Sequence, residues 1–157
     1  MHNTCPFCNH NITEKSFASS NGNFALYNLS PILEGHSLII PEKHIKSLFE
    51  LSEDEIADFF SFARTITSFL CNTYGADAYD WSLQEGEEAG QSVDHLHLHI
   101  IPRKPADMAE GEQWFNKLKQ PEVQSSNETG RRILSDAEFN EISERLKTLW
   151  GIQQESI

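Results

Sequence analysis

Between residues 95 and 101 the chain reads His95-Leu96-His97-Leu98-His99-Ile100-Ile101, a run in which imidazole and aliphatic side chains alternate. Extended backbone sends successive side chains to opposite faces, so a period of two predicts a strand over residues 93–101 with three histidines on one side and Leu96, Leu98 and Ile100 on the other. Neighbouring rings on such a face stand roughly 6.5–7 Å apart. One histidine on a strand is ordinarily a satisfied core group. Three in strict alternation would need three separate buried partners, so the row is read as functional.

Other patterns place this strand in a domain. Residues 23–29 and Ser37-Leu38-Ile39-Ile40-Pro41 read as two strands that can pair as a hairpin across the polar turn 30–35, and residues 79–83 as a further strand. Ser52 with Glu55 forms a capping box, and Ile56, Phe59, Phe60, Ala63, Ile66 and Leu70 follow at helical spacing, predicting a long amphipathic helix from Ser52 to about Asn72. Cys71 at its end is read as a packed thiol. A second box, Ser135 with Glu138, opens a terminal helix with the stripe Phe139, Ile142, Leu146 and Leu149. Strands and helices mix without βαβ alternation, so the expected class is α+β, an antiparallel sheet of about five strands with one long and one C-terminal helix. Phe62 and Phe69 fall off the long helix's apolar stripe, and a wider apolar surface than one core needs points to a homodimer. Residues 103–130 are polar, and Trp114 and Phe115 within them are expected to tuck onto the core, the alternative being a lip over a ligand or a subunit contact.

Composition excludes several functions. Twenty-four acids against 12 Lys and Arg give a formal charge of −12, which repels a phosphate backbone and argues against extended nucleic-acid binding. No apolar run exceeds the four residues Phe24 to Tyr27, so neither a membrane span nor a signal peptide is expected, and a cytoplasmic setting is. Three cysteines, Cys5, Cys8 and Cys71, do not suit a disulfide framework. His2 and His10 are read as surface residues, and Glu85, Glu87 and Glu88 as a solvated run.

A row of imidazoles can bind metal, attack phosphorus, or exchange protons near neutral pH. Gly90-Gln91-Ser92 just before the row offers a residue without Cβ, an amide and a hydroxyl, a set suited to cradling an anion. Cys5-Pro6-Phe7-Cys8 admits two readings, a redox pair or half of a tetrahedral zinc site. The redox reading lacks the preceding strand that such motifs follow.

The segment from Gln91 through His95-Leu96-His97-Leu98-His99 to Arg103 closely resembles the histidine-triad signature. Phe24 to Asn28, Glu34-Gly35-His36, Ser37 to Pro41, Trp81 to Gln84 and Ala89-Gly90-Gln91 are similar to the fragile-histidine-triad branch, hydrolases of dinucleoside polyphosphates. That resemblance implies a single domain over 1–157, with a zinc-binding N-terminus at 1–10, the family core at 23–103, a loop at 104–130 and a helix with tail at 131–157. It implies that His97 attacks the α-phosphorus, that His99 bonds the phosphate or departing group, and that His36 orients the row. Gln91 and Ser92 would stabilise charge, Asn28 would contact ribose, Gln84 the polyphosphate, and Gly90 would let the backbone approach. The Cys5/Cys8 pair departs from that branch, but His44 and His95 match the remaining ligands of zinc-bearing members, implying structural zinc on Cys5, Cys8, His44 and His95. Family members join two sheets as a homodimer. Hydrolysis of an adenosine phosphoramidate, nucleotide binding without catalysis, and metal-dependent hydrolysis on all three triad histidines are the competing functions.

Overall fold

Asn-Gly favours the positive φ angles of a two-residue hairpin turn, and Asn21 (φ 46°) with Gly22 (φ 70°) forms one. A computed structural model describes residues 5–9, 11–125 and 129–156; His2 and His10 lie outside them. After a short helix α1 (Ile12–Lys15), this turn joins β1 (Ala18–Ser20) to β2 (Asn23–Tyr27), followed by β3 (Ser37–Pro41), helix α2 (Glu53–Tyr74), β4 (Ala78–Leu83) and β5 (Leu98–Arg103). The five strands form one antiparallel sheet in the order β1-β2-β3-β5-β4. A five-residue helix α3 (Trp114–Leu118), a two-residue parallel pair of β6 (Glu122–Val123) with β7 (Arg131–Arg132), and helix α4 (Asp136–Glu155) complete the described fold.

Register sorts the sheet's side chains. Leu26 pairs with Leu38, Leu38 with His99, and His99 with Ser82, so these share one face. Ala25, Ile39, Leu98 and Ile100 occupy the other. That second face packs on Phe59, Phe62, Ala63, Ile66, Phe69 and Leu70 of α2, with Phe139 and Leu146 of α4 in the same core. Both helices carry complete capping boxes, at Ser52/Glu55 and Ser135/Glu138, as their sequences predict, and Gly75 closes α2 in the left-handed conformation with φ 63°. The first face holds a smaller cluster of Phe24, Leu26, Leu38 and Ile40, against which Phe7 and Ile12 of the N-terminal segment pack.

Three expectations need correction. Strand β5 begins at Leu98, not Val93, because the preceding backbone is bonded elsewhere: the His95 N–H donates to the Val93 carbonyl at 2.8 Å and the Leu96 N–H to the Ile45 carbonyl at 2.7 Å. Phe62 (5% exposed) and Phe69 (2%) are buried in the chain's own core, where Phe69 meets Phe17 and Trp150, so they leave no surplus apolar face. Trp114 and Phe115 do not tuck in; α3 buries no residue, Phe115 is 44% exposed, and the two rings pack edge-on against each other.

Candidate functional site

Although only His99 of the histidine row lies within a strand, all three of its imidazoles are buried, and their hydrogen bonds fix which nitrogen carries each proton. His97 Nδ1 lies 2.7 Å from the His95 carbonyl oxygen, which can only accept. Nδ1 therefore holds the proton, and Nε2 keeps its lone pair. His36, on the turn before β3, accepts the Ile32 N–H at Nδ1 over 3.2 Å, so its Nε2–H donates to His99 Nδ1 at 2.9 Å. His99 then carries its remaining proton on Nε2. The pair at the site is thus a bare nitrogen on His97 and an N–H on His99, with ring centroids 5.0 Å apart.

Burial sets their charge. It pushes the His36 pKa well below the usual imidazole value, and the His99 pKa down to about 3, with the His97 and Arg131 charges adding to the effect. Burial also lowers His97, opposed by the bond to the His95 carbonyl. Neutral rings are the consequence near pH 7, the form an imidazole nucleophile needs.

His97 and His99 line a cavity of about 330 Å³ on the sheet face opposite the helices' main core. Asn28 and Ser92 line it too. The Asn28 Oδ1 accepts the Ser30 N–H at 2.8 Å, which turns its amide nitrogen to within 3.2 Å of His36 Nε2. Gln84, Gly90 and Gln91 stand outside the cavity lining. The Gln91 Oε1 accepts the Gly86 N–H at 2.8 Å, and its amide nitrogen donates to the Lys46 carbonyl at 3.5 Å. Gly90 adopts φ 95° at the end of the 3-10 turn Glu87–Ala89, and a Cβ there would meet the Gln84 amide nitrogen at 3.0 Å. This glycine therefore serves the turn. Glu85 is no free surface acid, since its carboxylate accepts the Ser47 hydroxyl at 2.7 Å and the Leu48 N–H at 2.6 Å.

Sequence reasoning missed part of the wall. Phe7 stands edge-on to both His95 and His97, at centroid distances of 5.7 and 5.5 Å. Glu122, Arg131, Asp136 and Phe139 come from the last third of the chain. The visible signal was Arg131-Arg132, the one arginine doublet in an acidic sequence.

On the far side of Phe7, Cys5, Cys8, His44 and His95 bring their ligand atoms within 4.8 Å of one another. Cys8 Sγ lies 3.1 Å from His44 Nδ1 and 3.6 Å from His95 Nδ1, Cys5 Sγ lies 3.5 Å from His95 Nδ1, and the two Nδ1 atoms are 3.3 Å apart. The His95 Nε2–H donates to the Pro41 carbonyl at 2.8 Å, so its Nδ1 lone pair faces the group. Both cysteines are free thiols, and burial followed by the nearness of Cys5 pushes Cys8 up to about 11. Four soft or imidazole donors converging without a disulfide could hold a metal ion. His95 thus belongs to this group and not to the cavity.

Comparisons with known proteins identify the family. The chain is 35% identical to the bis(5'-adenosyl)-triphosphatase of Dictyostelium discoideum over 103 residues, 66% of this chain and 69% of that protein. It is 39% identical to the asymmetrical bis(5'-nucleosyl)-tetraphosphatase of Schizosaccharomyces pombe over 98 residues, 62% of this chain but only 54% of that protein, so it spans about half of the latter's length. The crystal structure of a zinc-bound histidine triad family protein from Mycobacterium smegmatis shares the fold, with a TM-score of 0.69 at 19% identity over 98% of each chain. With the HIT domain model matching residues 9–106, most of the chain and all of the five-stranded sheet, the chain belongs to the HIT domain family.

Proposed function

We propose that this protein hydrolyses dinucleoside polyphosphates at the α-phosphorus through a nucleotide covalently held on His97. The observation that carries this reading is the 2.7 Å bond from His97 Nδ1–H to the His95 carbonyl, which leaves Nε2 unprotonated in a cavity beside an N–H donor. The Nε2 lone pair forms the N–P bond as the bond from phosphorus to the leaving oxygen breaks, and the departing nucleotide takes that electron pair. Positive charge developing on the His97 ring is stabilised by the His95 carbonyl. The His99 Nε2–H donates to the departing or equatorial oxygen, and the Ser92 hydroxyl and Asn28 amide supply further donors. Water then attacks phosphorus, the N–P bond breaks with its electron pair returning to Nε2, the water's proton passes to solvent, and neutral His97 is restored.

The names of the relatives support the substrate class, and the hydrogen-bond chain supports the roles of His97, His99 and His36. Gln84, Gly90 and Gln91 are given no contact with the substrate, and of these Gly90 and Gln91 shape the loop carrying Ser92. Turnover on a panel of diadenosine polyphosphates and adenosine phosphoramidates tests it. The polyphosphates should be cleaved fastest, and His97→Ala should lose several orders of magnitude in rate. Preference for the phosphoramidate would reassign the leaving group, and residual activity within about tenfold of wild type would remove His97 as nucleophile.

Zinc is proposed for the Cys5, Cys8, His44 and His95 group. Tetrahedral zinc with bonds of about 2.0–2.1 Å to nitrogen and 2.3 Å to sulfur requires N···N near 3.3 Å and N···S near 3.6 Å. The separations of 3.3, 3.5 and 3.6 Å fit, and the 3.1 Å pair needs a shift of about half an ångström. Bound there, zinc would hold the N-terminal segment against the sheet. A closed set of four ligands leaves no position for substrate. A cytoplasmic setting is proposed with it, since a zinc site with two thiolate ligands persists where thiols are kept reduced. A homodimer is also proposed, now on the open edge at β4, where Tyr79 is exposed. Light scattering at micromolar concentration should give about twice 17.9 kDa, and a mass of 17.9 kDa would contradict it.

A further inference from the structure

Arg131 brings a guanidinium to the cavity from a region whose sequence pattern suggested no chemistry. The pairing of β7 with β6 sets it against the 28–30 turn, where Nη1 donates to the Ser30 carbonyl at 3.0 Å and Nε to the Gln120 carbonyl at 3.4 Å. The Ser30 hydroxyl answers by donating to the Arg131 carbonyl at 3.1 Å. Glu122 Oε1 is 3.5 Å from Nη2, a loose ion pair in which the arginine side chain is 12% exposed and the carboxylate 52%. These contacts use three of the five N–H bonds a guanidinium carries. Burial lowers the Arg131 pKa, and its charge lowers those of His99 and His36. The cation is therefore desolvated, weakly compensated, and felt on the His99 side of the nucleophile. Among the described lining residues Lys15 is the other lysine or arginine, and it lies over the Phe139 ring.

We propose that Arg131 is the specificity-determining cation of this cavity, donating to the phosphate oxygens of a nucleotide ligand, with Glu122 as an internal competitor for the same guanidinium. The proposal rests on the nucleotide reading of the site. It adds a charged donor from the chain's last third to the Gly90-Gln91-Ser92 cradle expected from sequence, of which only Ser92 lines the cavity. The two residues should then act with opposite sign. Removing Arg131 removes a charge-assisted donor, whereas removing the Glu122 charge frees the guanidinium for phosphate. A tether that merely holds β7 to the sheet would be weakened by either change.

Calorimetric titration of adenosine, AMP and ADP into wild type, Arg131→Gln, Arg131→Lys and Glu122→Gln separates these cases. Wild-type affinity should rise from adenosine to ADP. Arg131→Gln should lose about tenfold or more for AMP and ADP while binding adenosine as wild type does, which also reports an intact fold. Arg131→Lys should recover part of the loss, because the charge remains without the planar fork. Glu122→Gln should bind AMP and ADP more tightly with adenosine unchanged, and this exposed substitution carries the test if Arg131→Gln does not fold. An equal loss for adenosine and AMP in Arg131→Gln, or weaker AMP binding in Glu122→Gln, overturns the proposal while leaving the nucleotide reading in place. A wild type that binds none of the three overturns both.

Discussion

At the scale of single residues, the site depends on where protons sit. A carbonyl behind His97 and an N–H behind His36 settle the tautomers, so chemically identical rings become an acceptor at His97 and a donor at His99. Keeping buried imidazoles neutral has a consequence for stability. An unfolded histidine titrates near 6.5, while folded His99 titrates near 3 and folded His36 also well below its usual value. Between those limits the unfolded state binds more protons than the folded one, so stability falls as pH drops below about 6.5 and goes on falling toward 3. Urea midpoints should therefore decrease from pH 7.5 to pH 5, and decrease less in His99→Gln, which lacks one of the titrating rings. Equal midpoints at the two pH values in wild type would show that these rings are not held neutral.

At the scale of elements, the strands and caps were legible where local chemistry decides them. Ser52 with Glu55 and Ser135 with Glu138 form the boxes their spacing predicts, and β3 spans Ser37–Pro41 as read. Alternation failed at residues 93–97 because it reports side-chain direction, whereas the backbone there is claimed by Ile45, a partner that no local pattern reveals. The same limit hid Arg131 and Phe7, which reach the cavity only through tertiary contacts, and the bridge that the Gln91 amide makes between the Gly86 N–H and the Lys46 carbonyl. Gly35 shows a constraint of the opposite kind, written in one residue. It adopts φ 89°, and a Cβ there would lie 2.9 Å from both Pro102 Cγ and Tyr74 Cδ2, directly before His36. Gly35→Ala should cost about 2–3 kcal/mol from the positive φ and the overpacking, and should slow turnover through displacement of His36. A loss below about 0.5 kcal/mol, the range of an ordinary surface change, would show that the turn relaxes freely.

At the scale of the whole molecule, one sheet separates two jobs. Its helix-covered face holds the main core, and the other carries the cavity, walled by the N-terminal segment through Phe7 and Ile12. That segment is fastened at the Cys5, Cys8, His44 and His95 group, whose His95 also supplies the carbonyl behind His97. Metal analysis should find one zinc per chain. Its removal by chelator should lower the thermal midpoint and weaken nucleotide binding together, because wall and nucleophile share His95. Protein purified without chelator that holds no zinc, or that keeps its midpoint after zinc is removed, would contradict a structural role. The proposed reaction requires His97 to carry the nucleotide during turnover. Acid-sensitive histidine phosphoramidates survive alkaline quenching, so wild type mixed with diadenosine triphosphate, quenched in base and digested should yield a peptide bearing one adenylate on His97, absent from His97→Ala. Full turnover with no adduct at any time point, or an adduct on another residue, would contradict it.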